Sequence, residues 1–174
     1  MKLILFDSKL KSERKRYLGQ VGLASVSLFI VLVASNFVSS ALESKAVIVA
    51  AIASTTFVLF IMPQSDTARP RHVAGGHLVA LTIGVLFVWF ADSFFNIQIL
   101  ETSRFAFPAF AAAGVGMSML IMAATDTEHP PAAGTALGTL SNPISLELTL
   151  FILVSVVLLL SIQMKLRKYL FNLY

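Results

Sequence analysis

The chain has 174 residues, of which 57% are hydrophobic, only 13% are charged and none is cysteine. So few charges could not cover the surface of a water-soluble globule, and a disordered chain would be much poorer in apolar residues. The lack of cysteine excludes disulfides, thiolate metal sites and cysteine nucleophiles. Six of the thirteen Lys and Arg residues precede residue 17 and three lie at 165–168. Basic ends of this kind favour an anionic membrane surface over nucleic acid.

Six stretches without Asp, Glu, Lys or Arg follow one another along the chain. They are residues 17–42, 46–65, 72–91, 105–125, 129–146 and 148–164. Roughly 20 apolar helical residues cross the hydrocarbon core of a bilayer, which is about 30 Å thick. All of the stretches except 129–146 have the length and composition of a full span. We therefore predict an all-α, polytopic transmembrane helix bundle with five full spans.

The exceptional stretch, 129–146, predicts one short, broken helix inside the membrane. Its sequence, HPPAAGTALGTLSNPISL, contains three prolines and two glycines. The helical part is predicted at 130–140, which is too short to cross alone, and Asn142-Pro143 then interrupts it. Irregular backbone at that depth requires burial in protein or a water-filled cavity. The alternative is a short surface helix outside the lipid.

The positive charges predict both termini on the cytoplasmic side. If 129–146 counts as a crossing, eleven cations share the side of the termini, and only Lys45 and Arg104 lie opposite. Five crossings would divide the cations eight against five, and the positive-inside rule favours the first arrangement. We expect a multi-pass protein of the cell inner (plasma) membrane. Its predicted parts are a basic cytoplasmic arm at 1–16, the bundle at 17–164 and a cytoplasmic tail at 165–174.

Two segments of the chain resemble each other and predict a parallel internal repeat. IMPQSDTARP at 61–70 aligns without gaps with IMAATDTEHP at 121–130, sixty residues later. Ile-Met, Asp-Thr and Pro coincide. The predicted halves are about 46–91 and 106–146, related by an axis along the membrane normal. Repeat-built transporters commonly bind substrate where their repeats meet.

Each copy of the motif is predicted to start a helix. An Asp or Thr just before a helix can accept hydrogen bonds from its first N–H groups, and proline suits the first turn. Capping alone would explain the Asp, Thr and Pro of both copies. The predicted helix-cap and motif residues are Asp66, Thr67, Pro70, Asp126, Thr127, Glu128, Pro130, Pro131 and Gly134.

Cations and histidines beside the two motifs indicate a path for a small anion. Two helix N-termini that face one another would present N–H groups and partial positive charge to it. Asp126 and Glu128 would then need caps or ion pairs, for which Arg69 and Arg71 of the other copy are the candidates. The predicted substrate-path residues are Arg69, Arg71, His72, His77, His129 and Thr135.

We predict specific properties for two of the histidines. His77 lies within a span, where ionisable groups are rare and often functional; a neutral histidine that donates between helices is an equal alternative. His129 is expected to titrate near neutral pH, which would link anion uptake to protonation.

Small residues cluster on the same elements, at Gly75-Gly76, at Gly114 and Gly116, and along 132–139. They allow close approach of helix backbones or leave room for a narrow polar path, and the two interpretations can coexist.

The segment TDTEHPPAAGTAL resembles the HPP family, named for the triplet that is His129-Pro130-Pro131 here. The upstream DTARPRHVAGGHL is similar to the other recurrent stretch of that family. The resemblance covers roughly 45–165 and implies a small integral membrane protein. Plant plastid and cyanobacterial members are associated with nitrite transport, so the resemblance implies nitrite as substrate. The residues themselves favour only a path for a small solute, with a preference for anions.

We therefore expect a transporter or channel for a small inorganic anion. The alternative is a non-transporting scaffold subunit of a larger membrane assembly, which would need packing faces but no broken helix. An intramembrane enzyme would have Asp126, Glu128 and His129 as acid–base groups, but no HExxH spacing accompanies them. We expect no enzyme, cofactor or metal. The expected partners are membrane lipid, the anion and, for so small a bundle, a second copy, without nucleic acid.

Overall fold

The computed structural model describes residues 12–36, 46–94, 104–142 and 145–173. Within these ranges the chain is all-helical, as predicted, with two single 3-10 turns at Asp66–Ala68 and Arg167–Tyr169. The α-helices are α1 (Arg14–Asn36), α2 (Ala46–Ile61), α3 (Pro70–Phe94), α4 (Ala106–Ala124), α5 (Pro130–Leu140) and α6 (Leu146–Leu166).

Among the described residues, four helical segments are long and apolar enough to cross a membrane, namely Arg14–Ala34, Pro70–Phe94, Ala106–Ala124 and Leu146–Tyr169. Helix α2 is equally apolar but has 16 residues, a length of about 24 Å. It ends before Pro63, whose ring nitrogen cannot donate the next helical hydrogen bond. The prediction of five full spans is therefore not confirmed. Large apolar side chains face outward on these helices, among them Phe29, Phe57, Trp89, Leu120 and Val157.

The C-terminal segment packs back onto the bundle. The Gln20 side chain donates to the Phe171 carbonyl (2.6 Å), and the Tyr17 hydroxyl donates to the Leu173 carbonyl (3.1 Å). The Leu173 N–H donates to the carbonyl of Ile61, the last residue of α2 (3.1 Å). The start of α1 and the segment after α6 therefore lie at one end of the bundle, together with the end of α2. We call this the shared end.

Two predicted domain boundaries differ from the helix bounds. Helix α1 begins at Arg14, inside the predicted arm, and α6 runs to Leu166, beyond the predicted bundle limit. Residues 1–11 of the arm lie outside the described residues. Leu170 and Leu173 of the predicted tail are buried, because the tail is docked rather than solvated.

Helix α5 lies inside the bundle, between α2, α3 and α4. It spans Pro130–Leu140, as predicted, and has 11 residues, or about 16 Å. The interpretation as a surface helix is wrong, because Ala132, Ala136 and Thr139 are at most 1% exposed. Helix α5 starts at the shared end, and α6 ends there. Pro143 of the predicted break lies outside the described residues.

Glycines of α3 and α5 make the close approach of the helices possible. A methyl group on Gly84 would lie 2.7 Å from Cβ of Thr139, and one on Gly76 would lie 2.7 Å from Cβ of His129. A methyl group on Gly134 would lie 3.0 Å from Cβ of Ala51. Close packing is thus confirmed at these positions. Gly116 differs, because nothing lies within 4 Å of its substituent position.

Gly84→Ala should destabilise the bundle, and Gly116→Ala should not. Overpacking at Gly84 is expected to cost about 1–3 kcal/mol, which exceeds the helix-propensity gain of about 1 kcal/mol that alanine brings. Thermal unfolding of the detergent-purified variants measures the difference. Equal midpoints for Gly84→Ala and Gly116→Ala would contradict this packing.

The two sequence motifs share a helix start but differ before it. Pro70 and Pro130 are the first residues of α3 and α5. Asp66 opens a 3-10 turn, whereas Asp126 has φ of 54°, in the left-handed region that Asp tolerates better than most residues. The helices that follow have 25 and 11 residues. The internal repeat is not confirmed.

Candidate functional site

Two histidines and two threonines meet in the interior of the bundle, where α2, α3 and α5 pack together. Thr55 belongs to α2, His77 to α3 and Thr135 to α5, while His129 directly precedes α5. Each of the four is at most 1% exposed. Gly76 allows α3 to approach the start of α5 closely, because any side chain at Gly76 would clash with His129. This close approach brings the neighbouring His77 next to His129. We call these four side chains the His–Thr network.

The network is continuous. The Thr55 hydroxyl oxygen lies 2.9 Å from Nε2 of His77 and 3.2 Å from Nε2 of His129. Nδ1 of His77 lies 2.8 Å from the Thr135 hydroxyl, and Nδ1 of His129 lies 2.9 Å from the Thr67 carbonyl oxygen. The two imidazole centroids are 5.2 Å apart. All four ring nitrogens therefore have a hydrogen-bond partner.

His129, which lies outside the four spans, is neutral at pH 7. Burial lowers its pKa from the ordinary 6.5 to about 4. The hydrogen bond to the Thr67 carbonyl works against burial and raises the pKa, while the charge of a protonated His72 lowers it further. The expectation that His129 titrates near neutral pH is therefore wrong, because the ring is desolvated.

The low pKa of His129 predicts that acid destabilises the fold. Between pH 6.5 and about 4 the unfolded state binds a proton at His129 that the folded state does not, so stability falls as the pH falls through this window. The full effect is on the order of 3 kcal/mol. Thermal unfolding of the wild type and of His129→Gln as a function of pH measures it. Equal pH slopes would contradict the burial of a neutral His129.

A second group of side chains lies at the shared end, and we call it the ion-pair cluster: Arg71, His72, Asp126 and Glu128. The Arg71 guanidinium lies 3.2 Å from the Asp126 carboxylate and donates to the Thr125 carbonyl (2.9 Å). Nδ1 of His72 lies 3.2 Å from the Glu128 carbonyl oxygen and 3.6 Å from its carboxylate. The predicted ion pair between the two motifs therefore exists for Arg71.

Arg69 does not take part in this pairing. Its guanidinium lies 2.6 Å from the carboxylate of Asp66 in the same motif, and both side chains are exposed. The N-terminal turns of α3 and α5 lie side by side at the shared end, since His72 contacts the Glu128 backbone.

His72, Asp126 and Glu128 offer ligand atoms within 4.8 Å of one another, a spacing compatible with a metal ion. Their surroundings favour a different interpretation. Arg71 already neutralises Asp126, and Nδ1 of His72 faces the Glu128 carbonyl. We interpret the group as an ion-pair cluster rather than as a set of metal ligands.

The predicted capping roles of Asp126 and Thr127 are wrong. The N-cap of α5 is His129, whose side chain makes no cap hydrogen bond. Pro130 and Pro131 have no N–H to offer, and the next N–H, of Ala132, donates to the His129 carbonyl (2.8 Å). Asp126 pairs with Arg71 instead. The Thr127 hydroxyl lies 2.8 Å from that of Thr125.

The predicted capping roles of Asp66 and Thr67 in the first motif are also wrong. Ser65 is the N-cap of the 3-10 turn, without a side-chain cap bond, and Asp66 pairs with Arg69. The Thr67 hydroxyl lies 3.1 Å from that of Ser65. The Thr67 carbonyl accepts a hydrogen bond from Nδ1 of His129.

The sequence did not identify Thr55. It stands beside Thr56 in the apolar segment AIASTTFVLF, and buried threonines commonly bond the carbonyl four residues earlier in their own helix. Thr56 makes such a bond to Ile52 (3.0 Å). No local pattern separates the two threonines, because only the packing of α3 and α5 selects Thr55.

Comparison with known proteins gives one family and one distant relative. The sequence model described as "HPP, transmembrane region" matches residues 13–173. A transmembrane protein of Dictyostelium discoideum is 26% identical over 120 residues, which are 69% of this chain and 39% of that relative. The match therefore spans well under half of the relative's length. No solved structure matches the chain.

Proposed function

This chain belongs to the HPP transmembrane family, and we propose that it moves a small inorganic anion across the membrane, as a transporter or channel. The observation that carries the proposal is the buried His–Thr network between α2, α3 and α5. An anion that loses water on entering a protein path needs N–H or O–H donors in its place, and imidazole and hydroxyl groups supply them.

Charge at the shared end supports an anion rather than a cation. Arg71 pairs with Asp126, the carboxylate nearest to it, and Arg69 pairs with Asp66. Both arginines remain more than half exposed, so they can attract an anion from solution. Nitrite is the substrate that the family resemblance implies.

The proposal places the shared end on the cytoplasmic side of the cell inner membrane, because the positive-inside rule applied to the sequence assigns the side of both termini to the cytoplasm. The proposed transport involves no chemical reaction and no cofactor. The network opens during transport, since its four side chains are closed off from solvent in this conformation.

A non-transporting scaffold subunit is the second candidate. The observation in its favour is that the network's polar groups are satisfied by one another, as they would be in a purely structural link between helices. Uptake separates the two functions. Vesicles that contain only this protein should take up nitrite faster than protein-free vesicles, and a scaffold should not raise the rate at all.

A further inference from the structure

The hydrogen bonds of the His–Thr network can all run in one direction. A carbonyl oxygen only accepts, so Nδ1 of His129 donates to Thr67. A neutral imidazole has one N–H, so Nε2 of His129 is an acceptor, to which the Thr55 hydroxyl can donate. In that arrangement the Thr55 oxygen accepts from Nε2 of His77, and Nδ1 of His77 accepts from Thr135.

The donors thus run in one direction, from Thr135 through His77, Thr55 and His129 to the Thr67 carbonyl. The Ala51 carbonyl, 3.0 Å from the Thr55 oxygen, is the other acceptor within reach of the Thr55 proton. The titratable groups that face His129 from α3 are His77 and His72, with Glu128 and Asp126 beyond His72. His129 is also the titratable group that faces His77.

We propose that Thr135, His77, Thr55 and His129 form a proton relay that couples anion movement to the movement of a proton. The inference rests on the proposed function and adds the co-transported ion. Both nitrogens of both rings are engaged in series, so that a hydroxyl connects one imidazole directly to the next.

The step balances with a single proton. The Thr135 hydroxyl passes its proton to Nδ1 of His77 and takes up a replacement proton from the path, and the Nε2 proton of His77 passes to the Thr55 oxygen. The original Thr55 proton passes to Nε2 of His129, and His129 releases its Nδ1 proton to water when the network opens at the shared end; the Thr67 carbonyl orients this N–H but does not take its proton. One proton enters and one leaves, and each histidine then carries its proton on the other nitrogen.

This final state explains how the proton could drive a conformational change. The bare Nδ1 of His129 now faces the Thr67 carbonyl, so two acceptors oppose each other across what was a 2.9 Å hydrogen bond. The contact between the start of α5 and the 3-10 turn of Thr67 is thereby weakened. Both segments lie at the shared end beside the ion-pair cluster, where an anion would pass.

Thr55→Val and Thr56→Val form the matched pair of variants that tests the relay. Both threonines are buried on α2, and both hydroxyls lie within hydrogen-bond distance of the carbonyl four residues earlier. Only Thr55 also contacts the histidines. Valine keeps the shape of threonine but has no proton to pass, whereas Thr55→Ser restores a hydroxyl.

The full chain is reconstituted in vesicles with a trapped pH dye, and nitrite uptake and internal acidification are recorded together. Protein-free vesicles are subtracted, since nitrous acid crosses lipid unaided. For the wild type, Thr56→Val and Thr55→Ser we expect acidification with each anion taken up. Their uptake rates should rise up to about tenfold for each unit of external acidification. Thr55→Val should show neither the coupled acidification nor the rise of the uptake rate at acidic external pH. If Thr55→Val fails to fold, His77→Gln is the alternative variant and should lose the same two effects.

Each outcome decides one of the two claims. Nitrite uptake without protein-dependent acidification, or unchanged coupling in Thr55→Val, would overturn the relay and leave the proposed function standing. If the wild type moves no nitrite, the proposed function fails. The relay is then judged by proton entry under an inside-negative potassium diffusion potential. Entry that requires the Thr55 hydroxyl would support the relay, and absence of entry would overturn it.

Discussion

Replacing His129 with alanine should lower the initial rate of nitrite uptake about tenfold or more at equal protein content. Alanine leaves the Thr67 carbonyl and the Thr55 hydroxyl without the partners that lie 2.9 and 3.2 Å away in the wild type. Alanine also removes a donor for the passing anion; a hydrogen bond to a charged group contributes about 1.5–3 kcal/mol, and about 1.4 kcal/mol corresponds to a factor of ten. Uptake by reconstituted His129→Ala measures the loss.

His129→Asn is the companion variant, because an asparagine amide can still donate towards the Thr67 carbonyl. It should retain more of the folded stability than His129→Ala while losing the contact with Thr55. Thermal unfolding in detergent separates a folding defect from a transport defect. A folded His129→Ala protein with the wild-type uptake rate would remove His129 from the path.

Arg71→Gln should reduce nitrite uptake by roughly three- to tenfold, more strongly at low ionic strength. The substitution removes a cation at the shared end and leaves the Asp126 carboxylate, now 3.2 Å from the arginine, without its partner. Both changes make the local potential more negative, which opposes an incoming anion. The salt dependence of the initial uptake rate in wild type and Arg71→Gln measures this.

A double variant separates the two contributions. Arg71→Gln combined with Asp126→Asn removes both charges and should recover part of the lost rate. Arg69→Gln should cost less, because its exposed partner Asp66 lies in the same turn, on the outer side of the motif. Arg104→Gln, at the start of α4 and therefore at the opposite end, serves as the control. A loss in Arg104→Gln equal to that in Arg71→Gln would indicate a non-specific effect of net charge.

The membrane class and several local features could be predicted from the sequence. Long charge-free runs determine which segments must avoid water, so the spans at α1, α3, α4 and α6 were predictable. Helix α5 was predictable in its bounds, because two prolines at its start and the sequence after Leu140 limit it on both sides. The ion pair of Arg71 with Asp126 followed from the need to neutralise carboxylates beside a path for anions.

Other features depend on packing and left no trace in the local sequence. Thr55 and Thr56 have equivalent surroundings along the chain, and only the position of α3 relative to α2 brings His77 to one of them. The partner of His129 in the first motif is the backbone carbonyl of Thr67, which no side-chain pattern encodes. The capping prediction failed because an Asp-Thr pair suggests a cap even where Pro130 and Pro131 have no N–H that could donate to it.

The central claim is that an anion passes the His–Thr network, and cysteine accessibility tests it most directly. The chain contains no cysteine, so Thr135→Cys and Thr56→Cys each introduce a single thiol at a buried position. In reconstituted vesicles a small anionic methanethiosulfonate should modify Thr135→Cys during transport, and saturating nitrite should slow the reaction. Thr56→Cys should stay unmodified. Equal inertness of the two thiols, or modification of Thr135→Cys that nitrite does not affect, would contradict the claim.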